Sequence, residues 1–180
     1  MFFTPLETRR LLLKNIAAED RDFIFVQFSN DEVNRYLYDE EPLQSVEGAD
    51  DIIRSFTGAE PRTRHRWVLV RKKDGAKMGT CGFHFWKPSE GIAEVGYDLY
   101  PDYWGNGYMA EAMQAAIRFA EEQMRLRRID AEIFPGNTKS VALAERLGFA
   151  FLGETRTLVF RGIPYLHHVY SRVTKPGGKT

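Results

Sequence analysis

A mixed α/β domain is the fold class this sequence predicts, with a mostly antiparallel central sheet of about seven strands and helices on both faces. Three observations carry it. Short runs of β-branched and aromatic residues recur between turn residues along the chain. A long segment after Gly107 repeats its apolar residues every 3.6 positions, as a helix with one buried stripe must. That helix lies between two strand-like runs with enough chain for a crossover, whereas most other runs are joined by short turns. Crossovers join parallel strands and short turns join antiparallel ones, so one parallel pair is expected inside an antiparallel sheet.

Taken in order, "RRLLLKNI" (Arg9 to Ile16) reads as the first strand. "AAEDRDFIFVQFSND" reads as a helix ending near Asn30, and "DEVNRYLYDEEPLQ" as a short helix giving way to a proline loop. "SVEGADDIIRSFTG" is a helix opened by Ser45 and closed by Gly58. "HRWVLVR" and "AKMGTCGFHFW" form a hairpin across "KKDG", where Asp74-Gly75 supplies positive φ angles, and "GIAEVGYDLY" follows as the next strand. From Met109 the apolar positions Met109, Ala112, Met113, Ala116, Ile117, Ala120 and Met124 mark the long helix. "RRIDAEIF" is a strand ended by Pro135-Gly136, and "NTKSVALAERLGF" a short helix stopped by Gly148. "FAFLGETRTLVF" and "IPYLHHVYSRV" close the chain as a hairpin across Arg161-Gly162. One domain over residues 1–174 and a flexible tail over 175–180 are expected.

Composition removes several function classes. Lys plus Arg equals Asp plus Glu at 25 each, so no global basic field draws the chain to nucleic acid or to an anionic membrane. A single cysteine, Cys81, rules out an intramolecular disulfide framework and a cysteine-rich zinc site, so no metal is expected, and a reducing cytoplasm suits it. The start "MFFTPLETRR" has no apolar core of a signal peptide, and nowhere do 18 apolar residues run together.

The stretch that points to chemistry is "DLYPDYWGNGYMAEA". A helix start leaves backbone N–H groups unpaired and carries partial positive charge, so Gly105 and Gly107 would let a phosphate approach bare backbone. On these residues alone, a plain turn and a phosphate cradle both stay open. Gly105, Gly107 and Ala110 also match the G-x-G-x-x-A dinucleotide pattern, with Asp130 further on. Against that reading, Pro101 to Trp104 intervene between strand and glycine, Asp130 falls early in its strand, and the flanking hairpins do not fit a doubly wound parallel sheet. No Gly-Lys-Ser/Thr follows, which excludes a Walker loop.

"EVGYDLYPDYWGNGYMAEA", followed by "NTKSVALAERLGF" and preceded by "LETRRLLLKNI", resembles the GNAT acetyltransferases, most closely their ribosomal-protein N-terminal acetyltransferase (RimJ/RimL) branch. The resemblance covers nearly the whole chain. It implies that "EVGYDLY" splays from "RRIDAEIF" and that the pantetheine arm of acetyl-coenzyme A lies in the gap. Leu99 would lend backbone groups to that arm, and its N–H would face the oxyanion. Trp104, Gly105, Asn106, Gly107, Tyr108 and Met109 would offer amides to the pyrophosphate. Asn137 would contact the pantetheine, and Ser140 would protonate the departing thiolate. Two departures from the family pattern are Asp102, where Gln or Arg is common, and Ala144, where many relatives carry a tyrosine acid.

For the general base, Glu94 is carried forward as the catalytic candidate, with Asp98, His84, His167, His168 and Tyr170 as others within reach of an acceptor. Tyr36 and Tyr38 are expected at the acceptor wall, most other aromatics belonging to the core. Cys81 reads as a small buried hydrophobe, because direct attack needs no acyl-enzyme. The expected function is acetyl transfer to a primary amine in a ternary complex, first a protein α-amine such as a ribosomal-protein N-terminus. The alternatives are a small amine (polyamine, aminoglycoside or amino acid) and a module that binds coenzyme A or a nucleotide without turnover. Either a monomer or a homodimer fits.

Overall fold

The computed structural model describes residues 3–58 and 62–174; the expected tail over 175–180 lies outside the described residues. Eight strands form one sheet in the order β1-β2-β3-β4-β5-β6-β8-β7. They are β1 (Leu6–Glu7), β2 (Leu11–Asn15), β3 (His65–Arg71), β4 (Lys77–Lys87), β5 (Ile92–Leu99), β6 (Arg128–Ile133), β7 (Ala150–Phe160) and β8 (Ile163–Val173). Seven match the expected strands. The eighth, β1, is two residues long, too short to show any alternation in sequence.

The helices are α1 (Arg21–Phe28), α2 (Asp31–Asn34), α3 (Val46–Thr57), α4 (Tyr108–Glu122) and α5 (Thr138–Arg146). A 3₁₀ turn, Ala18–Asp20, leads into α1, so the expected first helix begins tighter than an α-helix. Asn30 opens α2 instead of ending α1, because its side chain accepts the Glu32 and Val33 amides. Ser45 holds the extended N-cap conformation of α3. In the β3–β4 turn Gly75 alone has positive φ; Asp74 does not, and its carboxylate instead receives Arg71. Arg161 and Gly162 both take positive φ, which is the two-residue hairpin turn expected there.

Each face of the sheet has its own core. Ile16, Ile24, Ala49, Ile53, Val68 and Val70 pack under α1 and α3. The larger cluster, with Trp67, Phe83, Val95, Met113, Ile117, Ile129 and Phe149 among its members, packs under α4 and α5. Cys81 is buried in it, and burial pushes its thiol up to about 12, so it is inert packing. Among the described residues only β5 and β6 run parallel, joined through α4, and this mixed, largely antiparallel sheet disposes of the dinucleotide-fold rival.

That parallel pair is short. Ile92, Ala93 and Glu94 pair with Arg128, Ile129 and Asp130, and no further pairing follows although β5 continues to Leu99 and β6 to Ile133. The Tyr100 amide donates to Met78 on β4. By the alternation of an antiparallel ladder, Val95, Tyr97 and Leu99 turn their backbone groups to the β6 side; the Val95 N–H closes the last parallel bridge, so the Val95 C=O and the N–H and C=O groups of Tyr97 and Leu99 face the opened gap.

One core residue should make the fold acid-sensitive. His65 is 1% exposed, stacked on Phe3 at 4.1 Å, and neither ring nitrogen has a hydrogen-bond partner among the described residues. Burial, helped by nearby Arg62, lowers its pKa from 6.5 to about 3. The unfolded chain therefore binds one more proton than the folded chain between those values, so stability is full above pH 6.5 and falls as pH drops toward 3. At about 1.4 kcal/mol per pK unit, the loss between pH 8 and pH 5 is about 2 kcal/mol from this residue. Urea titrations should show that drop, and His65→Leu should remove most of the pH slope; an unchanged slope would exonerate His65.

Candidate active site

The gap between β5 and β6 opens into a cavity of about 730 Å³. One end is walled by the loop and first turn of α4, including Trp104, Gly105, Gly107, Tyr108 and Met109. The middle is walled by Tyr97, Asp98 and Leu99 of β5 and by Asn137 and Ser140 at the start of α5, and the far end by Glu32, Arg35 and Tyr36 around α2. These parts meet because the β5-α4-β6-α5 unit places both helix N-termini at the same end of the splayed strands. Two helix starts thus direct unpaired amides and partial positive charge toward one cleft.

The glycine loop is shaped by two residues in the left-handed region. Gly105 and Gly107 have φ of +75° and +73°, which L side chains rarely adopt, and nothing lies within 4 Å of a Cβ at Gly105. Asn106 ties the turn by donating its side-chain amide to the Trp104 carbonyl at 2.9 Å. Among the described residues the amides of Gly105, Asn106 and Gly107 make no hydrogen bond, whereas the Trp104 amide is spent on Pro101. The run of amides without partners therefore begins at Gly105. Trp104 has a different place: its indole N–H donates to the Leu99 carbonyl at 2.7 Å, and Lys139 sits 3.8 Å from its ring centroid. Of the two Leu99 backbone groups, only its N–H stays open to the gap.

Asn137 caps α5, accepting the Ser140 amide at 3.2 Å with its side-chain oxygen, and lines the cavity. Ser140 Oγ lies 2.8 Å from the Tyr97 hydroxyl. Burial pushes the Tyr97 phenol up to about 12, only partly offset by its bond with Ser140. Sequence reasoning missed Tyr97, although alternation along β5 already set it beside Leu99 and away from Glu94 and Asp98. It also missed Glu32 and Arg35, which belong to α2 and its C-cap, because a four-residue helix is too short to show a period.

Glu94 does not line the cavity. Its carboxylate meets His84 at 3.1 Å and Arg156 at 2.8 Å, and although burial raises its pKa, these partners outweigh it and hold the group below its ordinary value. A carboxylate so stabilised is a poor base, which removes Glu94 from the catalytic set. Asp98 is saturated too, accepting from Gln27 and Arg66 at 2.8 Å each and from Thr80. His167 is held by the Tyr165 carbonyl, and His168 stacks on Phe151 at 4.1 Å. Tyr170 is buried in the core cluster under α4 and α5 and does not line the cavity. Tyr36 lines the cavity as expected, but Tyr38 does not: it stacks on Tyr165 at 3.8 Å and meets Phe134 edge-on, fastening its loop to the β7–β8 hairpin. Among the described residues no group of His, Cys, Asp and Glu is placed to hold a metal ion, and no helix is long and apolar enough to cross a membrane.

Asp102, which in sequence looked like a misplaced charge at an anion site, is exposed on the 3₁₀ turn Pro101–Tyr103 and lies outside the cavity wall. Exposed charges act weakly at such range. Asp102→Gln should therefore change the coenzyme A dissociation constant less than about twofold at physiological salt, as titration calorimetry would read; a larger change would put the carboxylate back at the site.

Comparison with known proteins gives a consistent result. Residues 10–150 match the family model described as acetyltransferase (GNAT) domain. "Uncharacterized N-acetyltransferase YoaA" of Bacillus subtilis is 36% identical over 176 residues, spanning 97% of this chain and 98% of the relative. The [ribosomal protein uS5]-alanine N-acetyltransferase of Escherichia coli is 33% identical over 82 residues, 46% of this chain and 42% of that protein. In fold, the spermidine N-acetyltransferase of Vibrio cholerae, solved in complex with CoA and spermine, superposes with a TM-score of 0.81 at 18% identity, covering 92% of this chain and 96% of that one.

Proposed function

The chain belongs to the acetyltransferase (GNAT) domain family, and from that premise we propose that it acetylates primary amines from acetyl-coenzyme A, with a peptide α-amine as the preferred acceptor. One observation carries the reading: a single cavity runs from the unpaired amides at Gly105 to Gly107, through the opened β5–β6 gap, to Tyr36. The loop amides suit the diphosphate, and the Val95 C=O with the N–H groups of Tyr97 and Leu99 suits an extended amide-bearing arm. The acceptor would enter from the Tyr36 end, beyond the thioester.

The residues of the gap then have distinct work. The Leu99 N–H faces where negative charge develops on the thioester oxygen. Ser140 is placed to donate a hydrogen bond to the departing sulfur, with Tyr97 holding its hydroxyl from behind. A serine hydroxyl is a far weaker acid than a thiol, so Ser140 cannot be the net proton source. The C–N bond forms, the C–S bond breaks, and the proton shed by the attacking nitrogen ends on sulfur.

The α-amine is favoured because the described cavity wall carries no free base at its centre: Asp98 is saturated, and Glu32 is exposed beside Arg35. At pH 7 roughly a tenth of an α-amine is neutral, against only about 0.04% of a lysine amine. The uS5-alanine acetyltransferase resemblance supports the same acceptor class. A polyamine is the second reading, supported by Glu32 at the cavity mouth, by the acidic run Asp39, Glu40 and Glu41 on the neighbouring loop, and by the fold shared with the spermidine enzyme.

Thiol release from acetyl-coenzyme A, measured against peptides with free N-termini, the same peptides N-acetylated, spermidine and an aminoglycoside, tests the proposal. Turnover on free peptides and none on their acetylated forms is expected. Faster turnover on spermidine would move the assignment to polyamines, and coenzyme A binding without thiol release on any amine would leave a binding module.

A further inference from the structure

We propose that Arg10, on the turn between β1 and β2, sets the shape and charge of the phosphate loop, and so governs affinity for the diphosphate-bearing half of the cosubstrate and not for its thiol arm. The inference rests on the role given above to Gly105 and Gly107. Arg10 grips the loop from outside the cavity lining. Its Nη1 donates to the Asn106 carbonyl at 3.0 Å, its Nε to Glu111 Oε2 at 2.6 Å, and its guanidinium lies 4.4 Å over the Tyr108 ring. Its Nη2 stands 3.6 Å from where a Cβ of residue 107 would be.

Two consequences follow from elementary geometry and charge. In a planar trans peptide the C=O and the next N–H point in opposite directions. Holding the Asn106 carbonyl therefore turns the Gly107 N–H away from Arg10, as an anion on the cavity side requires. The second consequence concerns Glu111, whose carboxylate sits in the first turn of α4, where it would repel a phosphate. Arg10 pairs with it through both backbone N–H (2.8 Å) and side chain, and the Thr8 hydroxyl adds a third donor at 2.6 Å. These donors outweigh the upward push of burial and hold the Glu111 pKa below its ordinary value, so the carboxylate stays ionised and its charge is met by the arginine. Arg10 is thus a positioning residue: it acts through the loop, and it does not line the cavity.

The test compares coenzyme A with pantetheine, which lacks every phosphate. Calorimetry for the first and competition for the second would be run on the full chain and on Arg10→Gln, Arg10→Lys and Arg10→Gln/Glu111→Gln. Arg10→Gln should weaken coenzyme A on the order of tenfold and leave pantetheine within about twofold. Arg10→Lys, which keeps the charge and loses the fork, should fall between, and it carries the same ratio test if Arg10→Gln does not fold. The double variant should recover part of the loss, because the unpaired carboxylate is gone; a purely structural staple would give no recovery. Equal losses for both ligands, or no loss for either, would overturn the role of Arg10. Failure of the loop reading shows itself differently, as wild-type coenzyme A affinity in Gly107→Val.

Discussion

Ser140→Ala should lower kcat for acetyl transfer about a hundredfold while the coenzyme A dissociation constant stays within about twofold. The size follows from what the hydroxyl is asked to do. A donor aimed at charge that develops only in the transition state accelerates the chemical step without tightening the ground state. Thiolate is a moderately good leaving group, so the lower end of the usual range for one such donor is appropriate. Ser140 reaches this place because Asn137 caps α5 through the Ser140 amide, which fixes the first turn, and because Tyr97 meets the hydroxyl at 2.8 Å. Tyr97→Phe should therefore reproduce part of the loss in kcat, again with little change in KM for acetyl-coenzyme A. The double variant should be no slower than Ser140→Ala, since the phenol acts through the serine. Single-turnover kinetics would read these effects directly. A full-rate Ser140→Ala enzyme would remove the hydroxyl from the mechanism, and a full-rate Tyr97→Phe enzyme beside a slow Ser140→Ala would remove only the tyrosine.

The elements that carry this arrangement were legible in unequal degree. Strands such as β3 and β5 and the long helix α4 announce themselves because burial imposes a period on residues that are neighbours in sequence. The β1 strand offers two residues and no period. Asn30 reads equally well as the end of one helix or the cap of another, and only its side-chain bonds to Glu32 and Val33 decide. The gap between β5 and β6 lies beyond periodicity altogether, since it depends on where two strands 36 residues apart, as Glu94 and Asp130 are, stop pairing. Glu94 and Asp98 were visible as carboxylates on one face of β5, but their partners Arg156, His84, Arg66 and Gln27 come from four other elements. Tyr97 was hidden by the same attention to that face: its hydroxyl matters only because α5 brings Ser140 to it. Sequence thus marks residue types and faces, whereas saturation of a charge is decided by distant chain.

Gly107→Val should raise the coenzyme A dissociation constant about a hundredfold or more, the second large effect. A β-branched residue at φ near +73° is a true outlier, costing on the order of 1–3 kcal/mol if the loop keeps its shape. The first side-chain carbon would not itself be blocked, because the nearest atom in its way, Arg10 Nη2, is 3.6 Å off. The chain should therefore escape the strain by relaxing the loop, not by unfolding, and the relaxed loop would no longer hold the amides of residues 105 to 107 in their wild-type arrangement. An anion bound by several converging amides loses most of its affinity when they diverge, because each was shared with no other partner. Calorimetry with coenzyme A, with the melting temperature as a check on folding, would measure the effect. Pantetheine should be little affected, since its contacts lie in the β5–β6 gap. A folded Gly107→Val protein with wild-type affinity would reduce Gly105 and Gly107 to the turn between a strand and a helix. The wild-type chain argues otherwise: a turn needs its glycines' φ angles, but it does not need three consecutive amides without partners among the described residues, two of them in residues that line the cavity.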